Sequence, residues 1–272
     1  MTPIERQTIL VTGATDGLGR GVALDLLARG ATVIVHGRDS TRLQLTVDEL
    51  AEKTGRRDRI RTALADFASL ADVRRMAERV AADHDRLDAL VNNAGIGTVV
   101  PGGDRRQVSQ DGNELRFAVN YLAPFLLTRL LLPLLRRSAP SRIVNVSSLG
   151  QMAIDFSDPM LERGYSGVRA YCQSKLAQIL STIDLAEELR GSGVTVNALH
   201  PATYMATKIV PNPVSTVEQG VAATVRLVAD PALDEKTGRF FNQKTEARAD
   251  PQAYDAAARK KLRELSNRLA PT

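Results

Sequence analysis

The sequence is poor in cysteine, histidine and aromatic residues. Cys172 is the single cysteine, tryptophan is absent, and aromatic residues make up 4% of the 272 residues. One cysteine excludes an internal disulfide framework and a cysteine-based zinc site, and it favours a reducing compartment such as the cytoplasm. The three histidines, His36, His84 and His200, lie far apart and lack the spacing of metal ligands, so no metal site is predicted.

Strong charge and long apolar runs are also missing. The chain has 36 basic and 31 acidic residues, and its net charge of +5 is scattered along the sequence. A nucleic-acid-binding protein would need a concentrated basic stripe with aromatic platforms, and the sequence has neither. No apolar run approaches the roughly 18 residues of a membrane span, and the polar start from Met1 to Gln7 is unlike a signal peptide. We therefore expect a cytoplasmic protein with no nucleic-acid or membrane partner.

Short apolar segments alternate with longer stretches of helical periodicity along the whole chain. The segments occupy residues 8–11, 32–35, 60–64, 89–91, 142–146 and 195–199. They are mostly apolar and rich in β-branched residues on both faces, as buried parallel strands are. Alternation of this kind predicts an α/β fold. We expect one Rossmann-type doubly wound parallel sheet of about seven strands, flanked by helices, in a single domain over residues 1–272.

Three polar or irregular stretches interrupt the alternation, at residues 98–111, 149–168 and 203–215. Each follows a predicted strand, so each is expected at the carboxyl edge of the sheet, where ligands bind in this architecture. Long loops at that edge are candidate substrate walls. We expect residues 149–168 and 203–215 to border the substrate.

A glycine-rich turn follows the first predicted strand. Gly13, Gly17 and Gly19 stand at a G-x-x-x-G-x-G spacing within Thr12–Arg20. Glycine permits a tight strand-to-helix turn and removes the Cβ that would block a pyrophosphate. A helix that starts near Gly17 presents free N–H groups and a positive dipole end to phosphates. The turn therefore predicts dinucleotide binding, and a turn that needs glycine only for packing is the alternative.

The end of the second predicted strand bears on which dinucleotide is bound. An acidic residue at this point holds the ribose 2′-OH of NAD, whereas an arginine suits the 2′-phosphate of NADP. Here the strand ends on Gly37 and Arg38, and Asp39 follows. An arginine grips a phosphate through two parallel charge-assisted hydrogen bonds, so NADP(H) is favoured over NAD(H). Because Asp39 is acidic, NAD(H) remains an alternative cofactor. A solvent-exposed turn that binds no ligand is a third interpretation.

A tyrosine and a lysine are four residues apart in a predicted helix. Tyr171 and Lys175 therefore project from the same helical face. The pKa of a phenol is about 10, and a neighbouring ammonium lowers it towards the range useful for proton transfer. Such a pair is common by chance, but Ser147 and Ser148 end the fifth predicted strand, and Asn92-Asn93-Ala94-Gly95 ends the fourth. These signals fall at the carboxyl ends of neighbouring strands, as one binding crevice requires.

With these motifs, the chain resembles the short-chain dehydrogenase/reductase family from Gln7 to about Phe241. The motifs that carry the resemblance are Thr12 to Gly19, Asp66, Asn92-Asn93-Ala94-Gly95, Asn120, Ser148, Tyr171-x-x-x-Lys175 and His200-Pro201. The chain is most similar to the retinol-dehydrogenase-like branch in two features. These are the sequence Phe117-Ala118-Val119-Asn120 and the spacing of 23 positions from Ser148 to Tyr171. The resemblance implies a Rossmann fold, carbonyl–alcohol chemistry and a preference for NADP(H) through Arg38.

The resemblance implies a role for each of four catalytic candidates. Tyr171 is expected to be the general acid in carbonyl reduction and the base in the reverse direction. Lys175 is expected to lower the pKa of Tyr171 and to bind the nicotinamide ribose, and Ser148 is expected to polarise the substrate carbonyl. Asn120 is expected to hold a water that links Lys175 to bulk solvent. Ser147 is the rival of Ser148, but the family pattern makes the second serine of the pair catalytic.

The resemblance also implies a set of cofactor contacts. Asp66 is expected to meet the adenine, and Asn93 with Gly95 is expected to line the adenosine half. The full set comprises Gly13, Thr15, Asp16, Gly17, Leu18, Gly19, Arg38, Asp66, Phe67, Asn93, Ala94, Gly95, Tyr171, Lys175, Pro201 and Thr203.

Two features depart from the family pattern. Ala202 follows His200-Pro201 where many relatives have glycine. Its methyl group narrows the backbone freedom beside the nicotinamide, so the resemblance supports cofactor contacts from Ala202 and Thr203 less firmly. Thr207 is a further candidate for the cofactor's amide or phosphates. The loop 149–168 has its own sequence, so retinoids are one substrate class among several.

These expectations combine into one functional hypothesis and two alternatives. The main hypothesis is an NADP(H)-dependent oxidoreductase that transfers a hydride between nicotinamide and a carbonyl or alcohol, with Tyr171 as general acid/base. The loops carry Met, Ile, Phe, Val and Pro more than charge, which favours a lipophilic or polycyclic substrate. The alternatives are an NAD-dependent alcohol dehydrogenase and a non-catalytic cofactor-sensing or scaffold protein. Family members pair through their central helices, so a homodimer or homotetramer is expected.

Overall fold

Eight strands form one sheet within residues 2–98, 105–205 and 213–272, which the computed structural model describes. They are β1 (Thr8–Val11), β2 (Thr32–Gly37), β3 (Ile60–Leu64), β4 (Ala89–Asn92), β5 (Ser141–Val146), β6 (Val194–His200), β7 (Arg239–Asn242) and β8 (Thr245–Ala247). Their order is β3-β2-β1-β4-β5-β6-β7-β8. All neighbours pair in parallel except β7 and β8, which are antiparallel. The predicted doubly wound parallel sheet is confirmed, with β8 as an added antiparallel edge.

Helices cover both faces of this sheet. They are α1 (Gly17–Ala28), α2 (Ser40–Thr54), α3 (Leu70–Asp83), α4 (Leu115–Phe117), α5 (Ala123–Arg137), α6 (Gly167–Glu188), α7 (Val217–Ala229) and α8 (Ala256–Leu269), and a π-helical turn at Ala118–Leu122 joins α4 to α5. The apolar core divides into one cluster on each face. In β1, Leu10 belongs to one cluster while Ile9 and Val11 belong to the other. Burial on both faces explains why these strands are apolar throughout.

The two last strands were not among the predicted apolar segments. β7 and β8 form a hairpin whose turn contains Gln243, a non-glycine residue with a φ of +54°. In β8, Thr245 and Glu246 are exposed, and only Ala247 is partly buried. A short edge strand has one partner and few apolar side chains, so its sequence carries little periodic signal.

One helical stretch has the length and composition of a membrane span. Leu115–Arg137, which comprises α4, the π-helical turn and α5, has 23 residues and a mean hydropathy of 1.5 in its most apolar window. The sequence-based expectation that no apolar run approaches a membrane span therefore missed this helix. In the fold, 78% of that window is buried inside the protein. The central position of the helix in the core accounts for its apolar composition.

The predicted substrate loop 149–168 is fastened to the C-terminal part of the chain. The Gln252 side chain accepts a hydrogen bond from the Ile154 N–H at 2.7 Å and donates one to the Ile154 carbonyl at 3.1 Å. The Gln151 side chain accepts from the Asp250 N–H at 2.7 Å. Residues 149–166 form no helix or strand, and α6 begins at Gly167, inside the predicted loop. These contacts give the loop a defined path after β5.

The side chain of His36 ties three parts of the carboxyl edge together. At the end of β2 its Nδ1 accepts a hydrogen bond from the Gly13 N–H at 3.0 Å, and its Nε2 donates to the Ala65 carbonyl at 3.1 Å. Its ring stacks on Phe67 with a centroid distance of 4.5 Å. This arrangement needs the neutral tautomer with the proton on Nε2. Accordingly, burial lowers the pKa of His36 from 6.5 to about 4.

We expect His36→Leu to flatten the pH dependence of stability. The unfolded chain binds a proton at His36 below pH 6.5, but the folded chain does so only near pH 4. The stabilisation from neutral His36 is therefore complete above pH 6.5 and is lost as the pH falls towards 4. Between pH 7 and pH 5 the free energy of unfolding should fall by about 2 kcal/mol more in the wild type than in the variant.

Urea unfolding at the two pH values measures this difference. His36→Leu also leaves two backbone groups unpaired, but that loss is the same at both pH values and does not affect the slope. His84→Gln, at a half-exposed histidine, is the matched control and should keep most of the wild-type slope. Equal slopes in the wild type and His36→Leu would contradict this account.

Candidate active site

The glycine turn and the segment after β4 are packed against each other. Gly13 has a φ of +62°, and a Cβ at this position would lie 2.8 Å from the Cα of Ala94. The Thr12 hydroxyl accepts hydrogen bonds from the N–H groups of Asn93 and Ala94 at 2.9 and 3.0 Å. The Asn93 amide donates to the carbonyls of Thr12 and Gly13 at 2.8 and 3.1 Å. The side chain of Asn93 is therefore occupied in joining the two turns.

Helix α1 begins inside the glycine turn. Asp16 caps it by accepting from the Gly17 N–H at 2.8 Å, and Gly17 has a φ of +50°. A side chain at Gly19 would clash with the Gly13 carbonyl and the Asn93 amide. Glycine at positions 13 and 19 therefore lets the turn fold closely over the start of α1, whose first turn leaves N–H groups without a helical partner as a cradle. This cradle fits the pyrophosphate of a dinucleotide.

The end of β2 leaves an arginine without a partner. Arg38 is exposed and makes no hydrogen bond or ion pair with any residue that the structure describes. Asp39 instead caps α2, because its carboxylate accepts from the Arg42 N–H at 2.8 Å. Gly37 makes room for Thr15, whose methyl group would lie 2.5 Å from a Cβ at that position. Arg38 is therefore available to a ligand, while the carboxylate of Asp39 is engaged by its own helix.

The residues after β3 also lie at the carboxyl edge of the sheet. One carboxylate oxygen of Asp66 accepts from the Ala68 N–H at 3.0 Å, and the side chain of Asp66 is half-buried. Phe67 is buried and stacked on His36. The Phe67 side chain is therefore part of the core, so a cofactor contact at this position would use its backbone.

The two serines that end β5 differ in what they contact. The Ser147 hydroxyl donates to the Lys175 carbonyl at 2.8 Å and so fastens α6 to the sheet. The Ser148 hydroxyl accepts from the Gly150 N–H at 2.9 Å. A Cβ at Gly150 would lie 3.4 Å from the Ser148 hydroxyl and 3.5 Å from the Tyr171 ring. The side chains of Ser148 and Tyr171 are therefore close to each other. Ser148, the predicted member of the pair, is the serine beside Tyr171.

The protonation of Tyr171 is governed by burial. Burial raises the pKa of Tyr171, and a hydrogen bond with Ser148 opposes this effect without overcoming it. The Lys175 ammonium lies 5.8 Å from the centre of the Tyr171 ring. Lys175 is not among the groups that shift the pKa of Tyr171, so the lowering expected from its ammonium is not seen, and desolvation of the phenol is the largest effect.

Lys175 is buried and held by two acceptors. Its Nζ donates to the Val146 carbonyl at 2.8 Å and to the Gln178 side chain at 3.2 Å. Burial lowers the pKa of Lys175 to about 8. An ammonium with a pKa this close to neutrality can release and regain a proton at physiological pH.

Asn120 lies in the π-helical turn between α4 and α5. Its amide donates to the Ile96 carbonyl at 3.1 Å and to the Ser174 hydroxyl at 2.9 Å, and its carbonyl accepts from the Ile96 N–H at 2.7 Å. A Cβ at Gly95 would lie 3.2 Å from the Asn120 carbonyl oxygen and 3.5 Å from the Lys175 Nζ. Glycine therefore keeps the segment after β4 close to both side chains, and the water-holding role of Asn120 stays a prediction.

The segment after β6 closes the other side of the crevice. The Thr203 hydroxyl and the His200 Nε2 are hydrogen-bonded at 3.0 Å, and burial lowers the pKa of His200 to about 4. Pro201 and Leu18 both border the space at Gly220, so the segment packs against the start of α1. The expected loops 98–111 and 203–215 fall partly outside the described residues, and Thr207 lies in the second of these gaps.

A buried hydrogen-bond network beside the site was missed by the sequence analysis. Arg116 donates to the carbonyls of Gly97 and Thr98 at 3.0 and 3.2 Å and to the Tyr165 hydroxyl at 2.7 Å. The Tyr165 hydroxyl donates to Glu114 at 3.0 Å, and burial raises the pKa of this tyrosine to about 12. The network fastens the segment after β4 and the substrate loop to α4. Its only sequence signal was two opposite charges at the start of an apolar helix.

No metal site accompanies these residues. In the described part of the chain, no three His, Cys, Asp or Glu side chains are grouped so that they could hold a metal ion.

Known proteins resemble the chain in sequence over most of its length. A sequence model of the short chain dehydrogenase family matches residues 7–217. Retinol dehydrogenase 13 of Homo sapiens is 35% identical over 287 aligned residues, which cover 98% of this chain and 85% of that protein. Retinol dehydrogenase 13 of Mus musculus is 44% identical over 201 residues, which cover 73% of this chain and 58% of that protein. In the second comparison the chain spans less than two thirds of its relative's length.

Solved structures share the fold. An uncharacterised protein from Mycobacterium paratuberculosis is 30% identical and superposes with a TM-score of 0.80, covering 98% of this chain and 94% of that chain. A short chain dehydrogenase from Escherichia coli CFT073, solved in complex with NADPH, is also 30% identical, with a TM-score of 0.71 and coverage of 88% and 97%. Fold, site geometry and sequence agree: the chain belongs to the short-chain dehydrogenase family, in its retinol-dehydrogenase-like branch.

Proposed function

We propose that the protein is an NADP(H)-dependent oxidoreductase that interconverts a carbonyl compound and an alcohol. The observation that carries this proposal is the cluster of Ser148, Tyr171 and Lys175 at the carboxyl edge of the sheet, beside the glycine cradle. A buried phenol and a buried ammonium on one helical face are suited to moving a proton where water is excluded. A cofactor sensor or scaffold has no chemical need for this cluster.

Tyr171 is the group that exchanges a proton with the substrate oxygen. In the reducing direction its hydroxyl gives a proton to the carbonyl oxygen, and in the oxidising direction it takes the proton of the alcohol. The Ser148 hydroxyl borders the same point and donates a hydrogen bond to this oxygen, which stabilises the negative charge that develops there. Lys175 is the adjacent proton reservoir.

The cradle and the edge of the sheet would hold the cofactor. The N–H groups at the start of α1 suit the pyrophosphate, and Asp66 and Asn93 lie where the adenosine half would pass. Tyr171 and Lys175 lie where the nicotinamide half would end. When bound, the nicotinamide supplies or accepts the hydride.

The preference for NADP(H) rests on the end of β2. Arg38 is exposed and has no partner among the described residues, whereas Asp39 is engaged as the cap of α2. A guanidinium in this position binds a 2′-phosphate, and a carboxylate occupied by a helix is poorly placed to accept from a 2′-hydroxyl. The related dehydrogenase solved with NADPH is consistent with this preference. An NAD-dependent alcohol dehydrogenase is the second candidate, because Asp39 still stands next to Arg38.

The substrate is proposed to be lipophilic, because the predicted substrate loops expose apolar side chains. These are Leu149, Met152, Val168, Tyr204 and Val214, which are 43–70% exposed. Leu149 directly follows Ser148, and Val168 lies one turn before Tyr171 in α6. Exposed apolar groups grouped at a crevice mark a site for an apolar ligand. Retinoids and polycyclic ketones are two such substrates.

The proposal also covers the domain organisation, the cellular compartment and the assembly of the protein. We infer that the chain acts as one domain over residues 1–272, works in the cytoplasm and assembles into a homodimer or homotetramer. The single cysteine, Cys172, is buried and unpaired, which suits a reducing compartment. Size-exclusion chromatography with light scattering tests the assembly, and cell fractionation tests the compartment.

Tyr171→Phe is expected to abolish turnover while it leaves cofactor binding intact. Phenylalanine keeps the ring and removes the proton donor, so kcat should fall by roughly 100-fold or more. The Kd of NADPH, measured by fluorescence titration, should stay within about threefold of the wild-type value, because the phosphate contacts are elsewhere. Cys172→Ser, at the next position of α6, is a matched control that should retain activity. Full activity in Tyr171→Phe would overturn the proposed mechanism.

Arg38→Ala is expected to remove the preference for NADPH. Loss of a charge-assisted phosphate contact should raise the Kd of NADPH by roughly 10- to 100-fold and change that of NADH by about twofold or less. Arg190→Ala is the control, because Arg190 is an exposed arginine that follows α6 at the opposite edge of the sheet. Tighter binding of NADH than NADPH by the wild type would favour the NAD-dependent candidate. Binding of neither dinucleotide would reject both.

A further inference from the structure

Two arginines that come from one segment of the chain hold the substrate loop 149–168 at two points. The Arg106 Nε donates a hydrogen bond to the Met160 carbonyl at 2.8 Å. The Arg116 guanidinium donates one to the Tyr165 hydroxyl at 2.7 Å. Both contacts lie in the second half of the loop, and together they are called the arginine clamp.

The segment that carries both arginines has a fixed position in the fold. Val108 and Glu114 form an antiparallel bridge, so the chain between them is a closed turn. The Asp111 carboxylate in this turn accepts from the Leu70 N–H at the start of α3, at 2.9 Å. Glu114 also caps α4 by accepting from the Phe117 N–H at 2.7 Å. The clamp therefore connects the substrate loop to a part of the chain that is anchored on α3 and α4.

The Arg116 contact contains two buried charges. Arg116 and Glu114 are 2% and 1% exposed, and the Tyr165 hydroxyl joins them by accepting from the arginine and donating to the carboxylate. Arg116 also donates to the carbonyls of Gly97 and Thr98. Breaking a buried ionic group is costly, although apolar residues of the same volume often give equal stability. The triad is therefore better explained by the position that it imposes on the loop than by stability.

A strained residue lies between the two contacts of the clamp. Leu161 has a φ of +49° and is 1% exposed. A bulky residue adopts this conformation at a cost in free energy, and it persists only where the surroundings impose it. Arg106 binds the carbonyl of Met160, directly before Leu161, and the Asp158 carboxylate accepts from the two N–H groups that follow it. The clamp therefore helps to hold the loop in a path that it would not adopt by itself.

Both ends of the loop lead to the reacting groups. At its start, a Cβ at Gly150 would lie 3.5 Å from the Tyr171 ring. At its end, Tyr165 directly precedes Ser166, which caps α6, and Val168 in the first turn of α6 is 55% exposed. The path of the loop thus determines the shape of the surface beside Tyr171.

The C-terminal part of the chain holds the loop at a separate point. The Gln252 side chain is bonded to both the N–H and the carbonyl of Ile154. This contact does not involve the clamp. If the clamp is released, residues 157–166 lose two anchors, whereas Ile154 keeps its own.

We propose that Arg106 and Arg116 are positioning residues that fix the path of the substrate loop, so that the loop binds the part of a large substrate that extends beyond Ser148 and Tyr171. This inference rests on the proposed oxidoreductase function and assigns the wall that recognises the body of its substrate. A small ketone needs only the reacting groups, with which the clamp shares no hydrogen bond among the described residues. A large ketone also packs on the loop, and a loop ordered in advance binds it without a further entropy cost.

Arg106→Ala and Tyr165→Phe should weaken the binding of a large ketone and spare a small one. Each variant removes one of the two contacts between the clamp and the loop. With NADPH, the KM for 2-decalone, a two-ring ketone, should rise by roughly 5- to 20-fold. The KM for cyclohexanone, the kcat for cyclohexanone and the Kd of NADPH should stay within about twofold. Arg105→Ala, at the exposed neighbour of Arg106, is the matched control and should behave as the wild type.

Amide hydrogen exchange measured by NMR tests the clamp without requiring turnover. In both variants the amides of residues 157–166 should exchange roughly tenfold faster than in the wild type, because the loop opens more often. The Ile154 N–H, which Gln252 holds, should keep its wild-type protection. Arg116 is tested through Tyr165→Phe, since removal of its charge would leave the buried Glu114 carboxylate without a cation and could prevent folding.

The outcomes separate this inference from the proposed function. Equal changes in the KM of both ketones, a lower KM for 2-decalone, or unchanged hydrogen exchange in both variants would overturn the role of the clamp. If Tyr165→Phe fails to fold, Arg106→Ala decides alone. Absence of ketone turnover in the wild type, or full activity of Tyr171→Phe, would reject the proposed function instead, and hydrogen exchange would still test whether the arginines hold the loop.

Discussion

The close approach of the glycine turn to the segment after β4 is the contact on which the site depends. A side chain at Gly13 would meet the backbone of Ala94, so the two turns can come this near only because that side chain is absent. The Thr12 hydroxyl and the Asn93 amide then join them by hydrogen bonds. Since β1 and β4 are neighbours in the sheet, this contact determines the floor of the crevice to which α6 brings Tyr171.

Desolvation determines the chemistry of that crevice. Burial raises the pKa of Tyr171 and lowers that of Lys175 to about 8, so the phenol holds its proton more firmly while the lysine can exchange one near neutral pH. The Lys175 ammonium donates to the Val146 carbonyl and to the Gln178 side chain, and these acceptors favour its protonated form. The same principle keeps His36 neutral where it ties the glycine turn to β3.

Much of the fold and the site could be predicted from local patterns. The strands of the sheet centre were predicted because burial on both faces demands apolar residues, and Tyr171 with Lys175 because a spacing of four is a helical contact. β8 was missed, since an exposed edge strand has no such pattern. Arg116 and Tyr165 were missed because their hydrogen bonds join segments that are distant in sequence. The length of the central helix at Leu115–Arg137 was missed because Asn120, Thr128 and Arg129 divide it into short apolar runs.

The sequence by itself determined the α/β alternation, the glycine spacing and the identity of the residues at each strand end, because these depend on neighbours within a few positions. The tertiary structure alone decided which of two adjacent serines borders Tyr171 and that Asp39 is engaged as a helix cap. It also decided that Gln178 is the side chain that holds Lys175. Burial and hydrogen-bond partners are properties of segments brought together from different parts of the chain, and pKa values follow from them.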